Sequence, residues 1–383
     1  MINEIILLLD NVNKERKKRE VVNYLNNHNI TSQGIYNWLL NNRNNSNSAV
    51  LLGIFNHFGI GINVDKQKAF ELYQNAANSG NVFGINSLGM CYENGIGTSI
   101  DKQKAFELFQ KAANLECAFG INNLGRCYES SIGTSIDKRK AFELYQKAAN
   151  LEYAIGINNL GVCYQNGIGT KIDKQKAFEL YQKAANLQNT NGINNLGICY
   201  ENGIGTSINK QKAFELYQKA ANLGDAYGIC YLGICYKYGT GTSINKQKAF
   251  ELFQKAANLE CAIGINNLGR CYEYGIGTSI NKQKTFELYQ KVANLGDAYG
   301  TCCLGICYEN GIGTVINKQK AFELYQKAAN LGDDLAQYNL ASIYEYGNGV
   351  KKDTNQANYW YEKSAKQGNW DAQDKLNKLK GFW

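Results

Sequence analysis

Proline is absent from the 383 residues, and histidine occurs only at His28 and His57. A chain without proline keeps its helices unbroken and leaves its turns to glycine, of which there are 39. Two histidines far apart give neither a histidine-based metal centre nor a histidine dyad. No stretch approaches the ~20 apolar residues of a membrane span. Nucleophile elbow and kinase signatures are missing too. The run Gly-Ile-Gly-Thr-Ser-Ile-Asp-Lys from Gly95 looks like a phosphate loop but lacks the Gly-Lys-Ser/Thr ending and recurs as a turn between helices. An enzyme is therefore the weakest reading: no catalytic residue, cofactor or metal is expected.

What the chain has is a period. The stretch from Asp101 to Glu129, DKQKAFELFQKAANLECAFGINNLGRCYE, has relatives along nearly the whole sequence. The alanine of its first half falls at Ala69, Ala105, Ala141, Ala177, Ala213, Ala249, Thr285 (a substitution), Ala321 and Ala357, always 36 residues on. The leucine of its second half keeps the same step from Leu52 to Leu340, so both halves occur nine times. A fixed period of this size marks units that bury their apolar faces by stacking on their neighbours.

In the first half, helix B, Ala105, Phe106, Leu108, Phe109, Ala112 and Ala113 fall three and four apart and form one apolar side. Asp101 and its copies, always Asp or Asn, cap it, and Ile100 can staple the turn. Glu107 and Lys111 are spaced to pair on the wet face. In the second half, helix A, Gly120, Leu124, Gly125 and Tyr128 make a face for close contact, because glycine inside a helix costs about 1 kcal/mol and needs a packing reason. Asn94-Gly95-Ile96-Gly97 then supplies the turn. The unit is a helical hairpin.

Taken together, small-x-x-x-Leu-Gly-x-x-Tyr-x-x-Gly-x-Gly followed by Asp-x-x-x-Ala and Lys-Ala-Ala resembles the Sel1-like repeat over roughly residues 45 to 380. Ala357, Trp360, Tyr361, Lys363 and Ala365 match the family's second helix most closely, whereas Gly84, Gly120 and Gly156 replace a usual alanine. The resemblance implies an all-α, right-handed α-solenoid of about nine 36-residue hairpins with helical caps, related to tetratricopeptide repeats. It also implies a scaffold or adaptor that assembles other proteins. The runner-up is a module that reads short peptides for a kinase-linked signalling enzyme. The expected partners are proteins or peptides, acidic segments among them, bound by a monomer.

Three parts are expected: a helical N-terminal segment over 1–44, the array over 45–368, and a closing helix over 369–383. In the first, Ile5, Leu8, Leu9 and Val12 form a stripe, the basic run Lys14 to Arg19 follows, and Thr31 caps a short helix with Ile35, Trp38 and Leu39. The apolar run Ile5 to Leu9 is too short for a secretory signal. A cytoplasmic protein is expected, with the basic run raising a nuclear address as the alternative. The net charge of +8 follows the lysines of helix B and reads as a solvated outer face, so no nucleic-acid partner is expected. Seven of the 12 cysteines (91, 127, 163, 199, 235, 271, 307) form one column. Stacked helices lie about 8–10 Å apart, beyond the ~7 Å reach of a disulfide, so the column reads as buried thiols. Some secreted relatives pair such a cysteine with one on the other helix, and helix B here has none.

Columns that vary point to a binding surface. Phe119, Tyr227, Ile263 and Tyr299 share one such column, Asn122, Asn158, Asn194 and Asn266 a second, and Arg126 and Arg270 a third. By resemblance to tetratricopeptide arrays this side lines the concave groove, where amides meet a partner's backbone and the aromatic and arginine residues anchor it. Alternatively, some of these columns only contact the next unit.

Overall fold

The computed structural model describes residues 1–10 and 14–379, which form twenty-two helices and no strand. They gather into two compact units, Met1–Asp225 and Ala226–Trp383. In the first, Ile5, Leu9, Val21, Leu25, Ile35 and Leu39 of three N-terminal helices are buried in one cluster with the helix Ser46–Phe58. Thr31 caps its helix by accepting from the Gly34 amide at 3.1 Å. Leu8, Val12 and the start of the basic run, Lys14 to Arg16, lie outside the described side chains. From Ser46 on, thirteen-residue helices A and B alternate, as in Lys102–Asn114 and Ala118–Ser130. The polar helix Trp370–Leu379 ends the second unit.

Each repeat is bounded by its own side chains. Asp101 Oδ1 accepts from the Lys104 amide at 3.0 Å, and Asp137, Asp173, Asn209 and later copies do the same. Lys104, at the wrong end of the helix dipole, is compensated by Asp101 at 3.4 Å and by the face of Tyr92, 5.2 Å away. Gly95 and Gly97 turn the chain with φ near 67° and 66°, and Ser131 takes the first of these roles at 57°. Gly97 is obligatory in space as well, since a Cβ there would stand 2.1 Å from the Lys66 carbonyl oxygen. Ile100 lies over that turn but stays 63% exposed, so it shields the turn glycine without closing a buried staple. Glu107 takes its partner one turn back, from Gln103 at 3.2 Å.

Helix A glycines are where helices meet. A Cβ at Gly120 would be 2.5 Å from that of Ala112 on the preceding helix B, and one at Gly125 would be 2.9 Å from the buried ring of Tyr145 on the following one. The ring packs directly on the helix backbone, which leaves no room for a side chain at the glycine. Edge-on pairs such as Phe106 with Tyr128, 5.6 Å between centroids, fill the other side. Eleven cysteines are buried and Cys117 is half-buried, all as free thiols. Burial pushes the thiols of Cys91, Cys127, Cys163, Cys303 and Cys307 up to about 12.

Two outcomes follow. Gly161 faces the Tyr181 ring, 2.7 Å from a built Cβ. In the last repeat Ala341 stands in this column, so one methyl group is accommodated, but Gly161→Val adds two more and should destabilise by about 1–3 kcal/mol in urea unfolding. An aromatic disulfide reagent at about pH 8 should modify Cys117 first in the native chain and all 12 cysteines after denaturation. A denatured count several thiols short would contradict the free-thiol assignment.

Candidate partner-binding face

Neighbouring A helices are tied by side-chain amides. Asn123 Nδ2 donates to Asn86 Oδ1 at 2.8 Å, Asn159 to Asn122 at 3.0 Å and Asn195 to Asn158 at 2.9 Å. Asn194 donates to Asp225 at 2.7 Å, and in the second unit Asn266 donates to Asp297 at 3.0 Å. The four asparagines predicted to meet a partner are therefore struts between repeats: Asn122, Asn158, Asn194 and Asn266 are 2–6% exposed. The physical reason is the helix crossing, which points this column at the next A helix.

Phe119 is also buried, stacked on Phe83 at 5.2 Å. It lines a small cleft of about 50 Å³ together with Met90, Val50 and two residues of the N-terminal helix, Ile6 and Leu9. The N-terminal segment thus covers this face at the start of the array. Farther along the first unit, Arg19 donates to the Leu223 carbonyl. In the second unit the face is open: Tyr227 is 46% and Tyr299 37% exposed, and Ile263 and Arg270 are half-buried.

The two arginines differ. Arg126 reaches back to the preceding A helix, where its guanidinium donates to Glu93 Oε1 at 2.6 Å and to Asn123 Oδ1 at 3.2 Å. Glu93 is available because helix B carries Phe109 there. In five other repeats the matching position is a tyrosine whose hydroxyl donates to the equivalent glutamate, as Tyr145 does to Glu129 at 2.6 Å. Arg270 stands 144 residues after Arg126 with Phe253 in the place of Phe109, but its counterpart of Glu93 is Lys237. Lys237 is 8% exposed, and its ammonium has no hydrogen-bond partner. Arg270 instead faces the phenols of Tyr299, Tyr238, Tyr289 and Tyr274. It lines a cleft of about 150 Å³ whose one carboxylate, Glu273, accepts from the Tyr289 hydroxyl at 2.8 Å.

Lys237, Tyr238 and Tyr274 were missed in the sequence reading. The signal was present: Lys237 is the one lysine in a column otherwise of His57, Glu93, Glu129, Gln165, Glu201, Glu273, Glu309 and Glu345. Among the described residues no cluster of His, Cys, Asp and Glu suits a metal ion, and no helix is long and apolar enough to cross a membrane.

The family model described as the Sel1 repeat matches this chain nine times, at 46–81, 83–117, 118–153, 154–189, 190–225, 226–261, 262–297, 302–333 and 334–369. No curated protein matches it. Similar solved structures include a Sel1 repeat protein from Oxalobacter formigenes, 24% identical over 81% of this chain and 89% of that one, with a TM-score of 0.50. A protective antigen of uropathogenic Escherichia coli displaying an SLR fold is 28% identical over 90% and 82%, with a TM-score of 0.48. An immunity protein from Pseudomonas aeruginosa is 22% identical over 56% and 81%, with a TM-score of 0.45.

The arginines should separate in unfolding experiments. Arg126→Ile strands Glu93, whose side chain is only 10% exposed, and should cost about 1–2 kcal/mol. Arg270→Ile removes a charge that makes no ion pair, the nearby Glu273 being taken by Tyr289, and should leave the urea midpoint unchanged or raise it.

Proposed function

Since the chain belongs to the Sel1 repeat family, whose repeats are in general protein-interaction modules, we propose that it is a non-catalytic scaffold that binds protein segments on the A-helix face of its second unit. The observation that carries this reading is the gathering of exposed Tyr238, Tyr274 and Tyr299 around Arg270, with Tyr227 exposed one repeat before Ile263 on helix A. Tyrosine and arginine are enriched where protein interfaces bind most strongly: tyrosine offers a large apolar area and a polar end with little rotamer entropy to lose, and arginine a planar fork of donors. The lysine-studded B helices form the opposite, solvated side. Their cations sit over tyrosine rings, as Lys140 does over Tyr128 at 5.1 Å, and belong to the fold. The buried free thiols suit work in a reducing compartment.

Affinity capture with the full chain, read by mass spectrometry, tests the proposal against a Tyr227→Ala/Arg270→Ile/Tyr299→Ala variant. The wild type should retain a defined set of proteins that the variant loses while keeping its helical circular dichroism. Equal capture by both would place the binding surface elsewhere. Release of a captured protein by a short fragment of itself would point to a peptide reader.

A further inference from the structure

The array contains the same local arrangement twice, and only the first copy is electrically complete. Residues 104–129 nearly repeat at 248–273, and each copy carries an arginine on helix A and a phenylalanine on helix B that frees the position facing the arginine. At Arg126 that position holds Glu93 and the pair closes at 2.6 Å. At Arg270 the equivalent residue is Lys237, a cation where the other copy has an anion. Burial raises the Cys271 thiol, and both cations act against that rise. The Lys237 ammonium is buried with no hydrogen-bond partner, and no carboxylate among the described residues lies within ion-pair distance of either cation. The ammonium's compensation is the face of the Tyr238 ring, 4.9 Å from the ammonium to the centroid; a buried ammonium held only by a ring face remains without an anion, and an anion arriving from outside would stabilise it.

Resting on the scaffold reading, we propose that Lys237 and Arg270 form a binding site for a carboxylate carried by an acidic segment of a partner protein. The guanidinium supplies the forked donors that match a carboxylate, and the ammonium adds charge behind it. The cleft beside Arg270, about 150 Å³, compares with cavities that admit a benzene ring and so has room for an acidic side chain. Tyr274 and Tyr299 line the same cleft and give the flanking residues apolar area, while the cleft's own carboxylate, Glu273, is engaged by the Tyr289 hydroxyl at 2.8 Å. Arg126, already neutralised, takes no part.

Lys237→Glu is the decisive variant, because it rebuilds at Arg270 the ion pair seen at Arg126 and fills the site from within. Fluorescence anisotropy with a labelled hexaglutamate peptide at low ionic strength should show binding to the full-length chain and none of the matched hexaglutamine peptide. Lys237→Glu should weaken binding about tenfold or more. Lys255→Glu, the same charge change on an outward B helix, and Arg126→Ile should leave it near wild type. Lys237→Met removes the charge at similar volume and serves if the glutamate variant folds poorly; it too should weaken the complex. Undiminished binding by the Lys237 variants, or an equal loss with Lys255→Glu, would overturn the site. Stronger displacement of the peptide by inorganic phosphate than by acetate would overturn the assignment to a carboxylate. If the chain captures partners yet ignores the peptide, this site falls and the scaffold reading stands; if the peptide binds and no partner is captured, the scaffold reading falls.

Discussion

A bare helix backbone against a flat ring is the contact on which the array depends. Gly89, Gly125, Gly161, Gly197, Gly233, Gly269 and Gly305 each meet the phenyl or phenol ring of the following B helix, with a built Cβ 2.6–2.9 Å from a ring carbon. A larger side chain there would push the B helix outward, and the displacement would pass to the next A helix through the alanines of B, since Ala112 in turn presses on Gly120. The helix propensity forgone at two glycines per repeat, about 1 kcal/mol each, is offset by the burial that this close approach permits.

That packing sets what polar groups can do. The ring pressed on the glycine ends in a hydroxyl, and once buried it needs an acceptor; the last turn of the same A helix supplies a glutamate. Burial and the carboxylate together hold Tyr145 and Tyr325 far above the usual tyrosine range. Where phenylalanine replaces the tyrosine the glutamate is released, and what becomes of it distinguishes the two copies: Glu93 takes Arg126, whereas Lys237 removes the acid altogether.

Much of this was legible in the sequence. The unbroken period gave the hairpins, the capping Asp and Asn residues were visible at Asp101 and its copies, and the paired glycines signalled close contact. Contacts that depend on how helices cross were not. Asn159 meets Asn122 37 residues back and Arg126 meets Glu93 33 residues back, neither at the repeat spacing. Hence Asn122 and its column looked like surface and proved to be struts. Phe119 was hidden for a different reason: it stacks on Phe83 of the preceding repeat and shares a cleft with a helix that lies outside the period. Nor does the period slip where the chain divides, at Asp225 and Ala226, so the two units were invisible.

Struts of nearly constant geometry, as at Asn86–Asn123, Asn122–Asn159 and Asn158–Asn195, make the repeats that carry them interchangeable. A gene encoding such a protein can lose or gain a 36-residue segment by unequal crossing-over, and the new neighbours will find the same glycine, ring and amide waiting. The repeat holding Lys237 is an exception, since moving it away from Arg270 would part the two cations. Of the whole array, that junction has an address.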